Sequence, residues 1–241
     1  MEINMDYQQI KEIKILNLIS KNMCSQRYER KFSFDPYHID RVMYDLNNSG
    51  FVKSYDNRRV TSIYFDTNNF ICYSDNINGE NTRLKIRLRK YNNDKNFNLE
   101  YKIKKNNIGY KLVVNRPYQL EDSIKLSDDT YLKTGLITEP KIQVTYDREY
   151  LFHEQYGIKA TIDHNILFNK DWLISDFSSI NESEMRGLSE ICSFSVLEFK
   201  YDINLDSFFK DFVNTNFRYV TRFNKFSKYI MAFRENNAHF I

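Results

Sequence analysis

The chain has 241 residues, a formal net charge of +3, 41% hydrophobic and 16% aromatic residues, and only 6 Gly and 3 Pro. That is apolar material for one large domain or two small ones, and it excludes a linker-rich or low-complexity chain. The bulk charge is too small to draw in a polyanion, so any anion site must come from local clustering. Cys24, Cys72 and Cys192 give neither a disulfide framework nor a zinc spacing; they read as reduced, buried thiols of a cytoplasmic protein. The start, MEINMDYQQIKEIKILNL, has acidic residues early and no uninterrupted apolar core, unlike a signal peptide. No run of about 18 apolar residues offers a membrane span. Abundant Asn, Lys, Ile and Tyr fit a bacterial chain from an AT-rich genome.

Residues 6–22 set Ile10, Ile13, Ile15, Leu16, Leu18 and Ile19 among charges, which predicts an N-terminal amphipathic helix within 1–25. QRYERKFSF (26–34) alternates, with Arg27, Glu29 and Lys31 on one face and Tyr28, Arg30 and Phe32 on the other. Asp35-Pro36 opens a helix, because Asp caps and Pro suits the first turn. Ile39, Val42, Met43 and Leu46 form its buried stripe. RVTSIYFD (59–66) is a strand with Val60, Ser62, Tyr64 and Asp66 on one side, and 68–79 reads as a polar connection. TRLKIRLRKY (82–91) alternates strictly: Arg83, Lys85, Arg87 and Arg89 face one way, and Leu84, Ile86 and Leu88 the other. At about 3.3 Å per residue the four cations form a row roughly 20 Å long. Phe97 to Lys104 repeats the pattern with Glu100, Lys102 and Lys104 on one face, and Lys111 follows in the strand 110–115. Basic strand, turn, basic strand predicts a hairpin with two rows of cations side by side.

Residues 117–139 lack alternation and read as helical or irregular. Further strands are predicted over 142–151 with Arg148, 157–163 with Lys159, Thr161 and Asp163, and 194–201 with Glu198 and Lys200. Residues 165–190, with the only Trp at 172, are mixed. Residues 205–235 are helical, with Lys225, Ser227 and Lys228 near the start of their last piece. Eight candidate strands without βαβ alternation predict an α+β protein with an antiparallel sheet. Eight strands can close into a barrel. With charges outward it is an ordinary barrel. With charges inward it is a tunnel with a basic lumen that needs water or a polyanion, covered outside by the flanking helices. The supply of amphipathic helices, which need an apolar surface, favours the tunnel.

Arg offers phosphate a planar fork of donors and Lys a point charge. Arg83, Lys85, Lys104 and Lys200 are substrate-binding candidates on that ground. The carboxylates on the same faces, Glu29, Glu100, Asp163 and Glu198, read either as ion-pair partners or as ligands of Mg2+ or Mn2+, which prefer oxygen and bridge to phosphates. Metal with Arg and Lys is the apparatus of phosphoryl transfer. No glycine-rich phosphate loop, paired Cys motif or His pair at ligand spacing points to other chemistry, and the aromatics read as core, not as a nucleic-acid surface.

ERKF (29–32), SIYFDT (62–67), IRLRKY (86–91), LEYKIK (99–104), TYDREY (145–150), TIDHNI (161–166), LEFKYD (197–202) and KFSKYI (225–230) stand in the order of the VTC domains, and the chain resembles that family. These are polyphosphate polymerase domains of the CYTH or triphosphate tunnel metalloenzyme superfamily. The resemblance implies a single tunnel domain over 26–235 that binds ATP and polyphosphate with Mn2+ or Mg2+. It implies catalytic phosphate contacts by Lys31, Arg87, Arg89 and Lys102, and substrate binding by Lys111, Arg148 and Lys159. Lys225, Ser227 and Lys228 would form a closing cluster, and Glu198 the metal ligand, assisted by Glu29 and Glu100. The implied activity is transfer of the terminal phosphoryl group of ATP onto polyphosphate. A tunnel triphosphatase and a non-catalytic polyphosphate or nucleotide sensor are the alternatives. Lys159 stands where the family commonly has Arg, and LVVNRP after Lys111 lacks the usual Arg-rich continuation. No stretch of the sequence offers a membrane helix beside the domain, and a separately encoded membrane partner is compatible with the resemblance.

Overall fold

The computed structural model describes residues 7–20, 27–105, 108–119, 123–169, 190–222 and 227–237. Its helices are α1 (Tyr7–Ser20), α2 (Ile39–Asn48), α3 (Ile71–Asn78), α4 (Ser123–Thr134), α5 (Asp206–Asn216) and α6 (Lys228–Asn237). Its strands are β1 (Arg27–Phe34), β2 (Phe51–Asp66), β3 (Thr82–Tyr91), β4 (Phe97–Lys105), β5 (Ile108–Tyr118), β6 (Glu139–His153), β7 (Ile158–Asn169), β8 (Glu190–Ile191), β9 (Ser195–Asp202) and β10 (Thr221–Arg222). The fold is α+β, and the pairings of β1 with β9 and β10, of β3–β4–β5, and of β7 with β8 and β9 are all antiparallel.

The chain divides into two compact units, and two of the three boundaries fall inside strands, β2 and β6. The first unit takes residues 1–25 and 62–143; the second takes 26–61 and 144–241.

In the first unit the strands run β2-β3-β4-β5, an open order. Their apolar face carries Leu84, Ile86 and Leu88 of β3 opposite Ile103, Tyr101 and Leu99 of β4, all buried to 2% exposure or less. Helix α4 lies with this apolar layer: the Tyr118 hydroxyl donates to Asp129 Oδ2 at 2.5 Å, and the Tyr101 hydroxyl to the Asp129 carbonyl. Lys14 of α1 donates to the carbonyl of Tyr131, and Lys11 makes a buried ion pair with Asp75 of α3. Where a polar connection is expected after β2, the chain forms α3. Asp66 makes this possible: besides the N–H of its neighbour Thr67, its buried carboxylate accepts those of Cys72 and Tyr73, donors that a helix start leaves unpaired.

In the second unit the order is β10-β1-β9-β7-β6-β2, again an open path, with β8 on β7. Here α2 and α5 cover the apolar face: Val42, Leu46, Phe209 and Val213 pack with Phe32, Phe34, Phe51, Ile162, Leu197 and Phe199 in one buried cluster. Helix α2 starts one turn later than Asp35-Pro36 suggests. Asp35 caps a 3-10 turn over Pro36–His38 by accepting from Tyr37 N–H at 2.9 Å, and the α-helix follows. The expectation that helices cover the apolar strand faces holds in each unit. Among the described residues there are ten strands where eight are expected, because two-residue strands add to β7 and β1. Within each unit the sheet is open, not a closed ring.

Candidate functional site

Alternation puts every predicted cation of β3 and β4 on one face, and the pairing register sets them against one another. Arg83 stands opposite Lys104, Lys85 opposite Lys102 and Arg87 opposite Glu100; on the next strand Lys102 stands opposite Lys111. Lys85, Lys102 and Lys111 thus form a row of three lysines across three strands. Like charges directly opposite on neighbouring strands are destabilising unless an anion joins them. Glu100 is the organising carboxylate of this face. Its Oε2 lies 2.6 Å from Arg87 Nη2 and 3.9 Å from Arg89 Nη1, and its Oε1 lies 2.7 Å from Lys111 Nζ. Burial would raise its pKa, but Arg87, Arg89 and Lys111 outweigh it and hold the carboxyl at about 2. Ser62 and Tyr64 of β2 complete the group: Arg89 Nε donates to Ser62 Oγ at 3.1 Å, and the Arg87 guanidinium lies 6.0 Å from the Tyr64 ring centroid. The Nε of Arg83 is buried without a hydrogen-bond partner.

The second unit carries its own charged face. Lys31 of β1 stands opposite Glu198 of β9, which stands opposite Thr161 of β7; one rung along, Glu29, Lys200 and Lys159 align in the same way. Lys31 Nζ lies 2.8 Å from Glu29 Oε1 and 3.0 Å from Glu198 Oε2, while Lys200 Nζ lies 2.7 Å from Glu198 Oε1. Burial would lower the Lys31 pKa, but the charges of Glu198 and Glu29 raise it well above the usual lysine range. Beside them Arg148 grips Asp163 with Nε to Oδ1 at 2.5 Å and Nη2 to Oδ2 at 2.7 Å. Lys228 of α6 donates to the same carboxylate, and its ammonium sits 4.4 Å from the Tyr146 ring centroid. Burial opposes ionisation of Asp163, yet Arg148 and Lys228 draw its pKa down to about 2. Burial would lower the Arg148 pKa, but Asp163, Tyr146 and Glu198 raise it, so its charge is felt across both carboxylate groups of this unit.

The first unit therefore brings together Arg87, Arg89, Lys111 and Glu100, with Arg83, Lys85, Lys102 and Lys104 on the same face. The second gathers Glu29, Lys31, Glu198 and Lys200, and beside them Arg148 and Lys228 through Asp163. Ser227 is buried, and its carbonyl accepts from Met231 N–H in the first turn of α6. Lys159 is exposed on the strand face next to Lys200. Lys225 and Trp172 lie outside the described residues. Ser62, Tyr64 and Tyr146 are site neighbours that the sequence reading left among core aromatics and strand fillers. Their positions on the charged side of the alternation were the available signal.

A hard divalent cation asks for oxygen ligands, and Mg2+ commonly takes one or two carboxylates and leaves the rest to water and substrate phosphates. Glu29 and Glu198 fit that demand, since their oxygens already converge on one positive charge, the Lys31 ammonium. Glu100 has its oxygens on Arg87, Arg89 and Lys111, as Glu198 has its own on Lys31 and Lys200. Among the described residues no three His, Cys, Asp or Glu side chains gather where protein ligands alone could hold a metal.

The fold is α+β with antiparallel pairing, and its charged strand faces pair Arg and Lys with sparse carboxylates. The chain matches the VTC domain model over residues 25–235 and belongs to that family. Among solved structures, a candidate adenylate cyclase from Vibrio parahaemolyticus is similar in fold, with a TM-score of 0.53 at 10% identity over 87% of this chain and 99% of that one. The PH1819 protein of Pyrococcus horikoshii gives a TM-score of 0.49 at 15% identity, covering 86% and 99% of the two chains. A candidate adenylate cyclase from Bacillus halodurans gives 0.48 at 13% identity, covering 85% and 95%. No curated protein sequence matches the chain. Among the described residues no helix is long and apolar enough to cross a membrane.

Proposed function

We propose that this protein transfers the terminal phosphoryl group of ATP onto a polyphosphate chain and releases ADP. The observation that supports this reading best is the row Lys85, Lys102 and Lys111, with Arg83 opposite Lys104 beside it. Such a row of point charges suits a repeating anion laid across it. Membership of the VTC domain family points the same way.

In this reading phosphate ligands lie on the charged face of each unit, taken by itself. Arg87 and Arg148 are preset by Glu100 and Asp163, so their planar forks lose little freedom when they turn donors to phosphate oxygens. Arg89, Lys102 and Lys111 neutralise the chain in the first unit, and Lys31, Lys200 and Lys228 do so in the second. Glu198 and Glu29 would hold a divalent metal, Mn2+ or Mg2+, which would supply charge stabilisation to the transferred phosphoryl group. No side chain acts as nucleophile. A terminal oxygen of the acceptor chain attacks the γ-phosphorus, a new P–O–P bond forms, and the bond to the β-phosphate breaks. The chain's own residues hold donor and acceptor in line and offset the developing charge.

The test is incubation of purified protein with ATP and Mn2+, with products run on a gel stained for polyphosphate and free phosphate assayed in parallel. A ladder of long chains is the expected result. Free phosphate without chains would make the protein a triphosphatase, and binding without either product a sensor.

A further inference from the structure

The two carboxylates best suited to a divalent ion are already occupied. Lys31 Nζ sits between Glu29 Oε1 and Glu198 Oε2 at 2.8 and 3.0 Å, and Lys200 takes the remaining Glu198 oxygen at 2.7 Å. Both oxygens of Glu198, a side chain only 6% exposed, therefore face ammonium groups of the protein itself. A dication brought to the same oxygens would stand within a few ångströms of the Lys31 charge, where like charges repel strongly even at an effective dielectric of about 20. The two cations cannot share the position. Nor can the protein compensate with further acids, because among the described residues no third acidic, His or Cys ligand joins the pair. Lysine is suited to leaving, since its charge is a compact point on a flexible four-carbon stem. It needs another anion to move to, and a phosphate chain on the same strand face is one.

We propose that Lys31 is a resident counter-ion that keeps the Glu29–Glu198 position closed to metal until a phosphate chain takes over its ammonium, so that phosphate enters first and the divalent ion follows. The inference rests on the phosphoryl-transfer reading for the identity of that anion. Lys31 then has two partners in turn: the carboxylate pair in the resting protein, and substrate phosphate once the chain is bound. Metal affinity is thereby coupled to phosphate binding, and by linkage the coupling is reciprocal.

Two titrations of the nucleotide-free full chain test this. Mn2+ is added alone, with the free ion followed by its electron paramagnetic resonance spectrum. Inorganic tripolyphosphate is added in EDTA and followed by calorimetry. Wild-type protein is expected to bind tripolyphosphate without metal and to bind Mn2+ alone only weakly. Lys31→Met, which keeps the length and removes the charge, is expected to bind Mn2+ alone about 10-fold more tightly or better, and Lys31→Arg to stay weak. Wild-type protein that binds Mn2+ alone as tightly as Lys31→Met overturns the proposal; tripolyphosphate binding in the same sample would leave the phosphate reading standing. Absence of tripolyphosphate binding overturns both. Should Lys31→Met fail to fold by circular dichroism, the wild-type pair decides: tight Mn2+ binding before any tripolyphosphate is added contradicts the order proposed.

Discussion

Arg148 and Asp163 are joined by two parallel hydrogen bonds, 2.5 and 2.7 Å long, and Lys228 reaches the same fully buried carboxylate from α6. This makes Asp163 the anchor of two predicted phosphate ligands, although it is itself an acid. Removing one partner of a buried, hydrogen-bonded ion pair costs about 3–5 kcal/mol, because the other charge is left uncompensated. Asp163→Asn is expected to lower stability by that order, read as a fall in the denaturation midpoint. It should also raise the KM for ATP more than it lowers kcat. An unchanged midpoint would show that the pair is not structural.

Acid should act on the same group. The Asp163 carboxyl is depressed from 3.8 to about 2 and that of Glu100 from 4.5 to about 2. A depressed carboxyl contributes stability that is fully present above its unfolded value and is lost as pH falls toward its folded one. Stability is therefore expected to hold above about pH 5 and to fall progressively toward pH 2. Thermal melts between pH 2 and 6 check this, and in Asp163→Asn the acid-dependent loss should be smaller.

Glu198 and Glu100 should separate by phenotype. Glu198→Gln is expected to abolish metal-dependent turnover and to lower the melting temperature while the protein still folds, since the amide NH2 then faces one of the two ammonium groups that Glu198 holds. Glu100→Gln should leave the Mn2+ requirement unchanged and raise the KM for ATP by roughly 10-fold, because three cations lose their orienting charge. Loss of Mn2+ dependence in Glu100→Gln, with Glu198→Gln fully active, would exchange their roles.

Lys11 and Asp75 form a buried ion pair that ties α1 to α3 within the first unit. Lys11→Met alone should destabilise by about 3–5 kcal/mol, and adding Asp75→Leu should restore most of it, since a buried pair is dispensable only as a pair. Urea denaturation of both single variants and the double variant gives the coupling. Additive losses would show the two residues to be independent.

Gly50 adopts φ +90, and a Cβ there would meet His153 Nε2 at 2.9 Å. Gly50→Ala should cost about 1–3 kcal/mol in a thermal melt, from strain together with displacement of a buried ring. His153 has little room to yield, since Phe51 and Tyr156 lie 5.2 and 4.7 Å from its ring centroid.

What was legible in the sequence follows from periodicity. β3 alternates strictly from Arg83 to Arg89, and its predicted range is the observed one. β2 is read only from residue 59, because residues 52–58 are exposed on both sides and show no apolar alternation to read. β7 continues to Asn169 past the expected end at 163; Asn165 has φ 49, and that positive angle breaks the simple period of two. Helix α3 hides in a polar stretch because its start depends on Asp66, a carboxylate that belongs to the preceding strand. The cation rows were legible for the same reason as the strands. The register was not, and it decides that Lys85, Lys102 and Lys111 align and that Glu100 faces Arg87. Periodicity assigns a face but does not choose a partner, so the contacts of Glu100 with Arg87, Arg89 and Lys111 were not legible.

The central claim is phosphoryl transfer from ATP to a growing chain. The most direct measurement follows γ-labelled ATP with Mn2+ and compares ADP released with label recovered in acid-labile polyphosphate. Equal molar amounts of ADP and chain phosphate are expected, with little free phosphate. ADP matched instead by free labelled phosphate, with no label in chains, would contradict it.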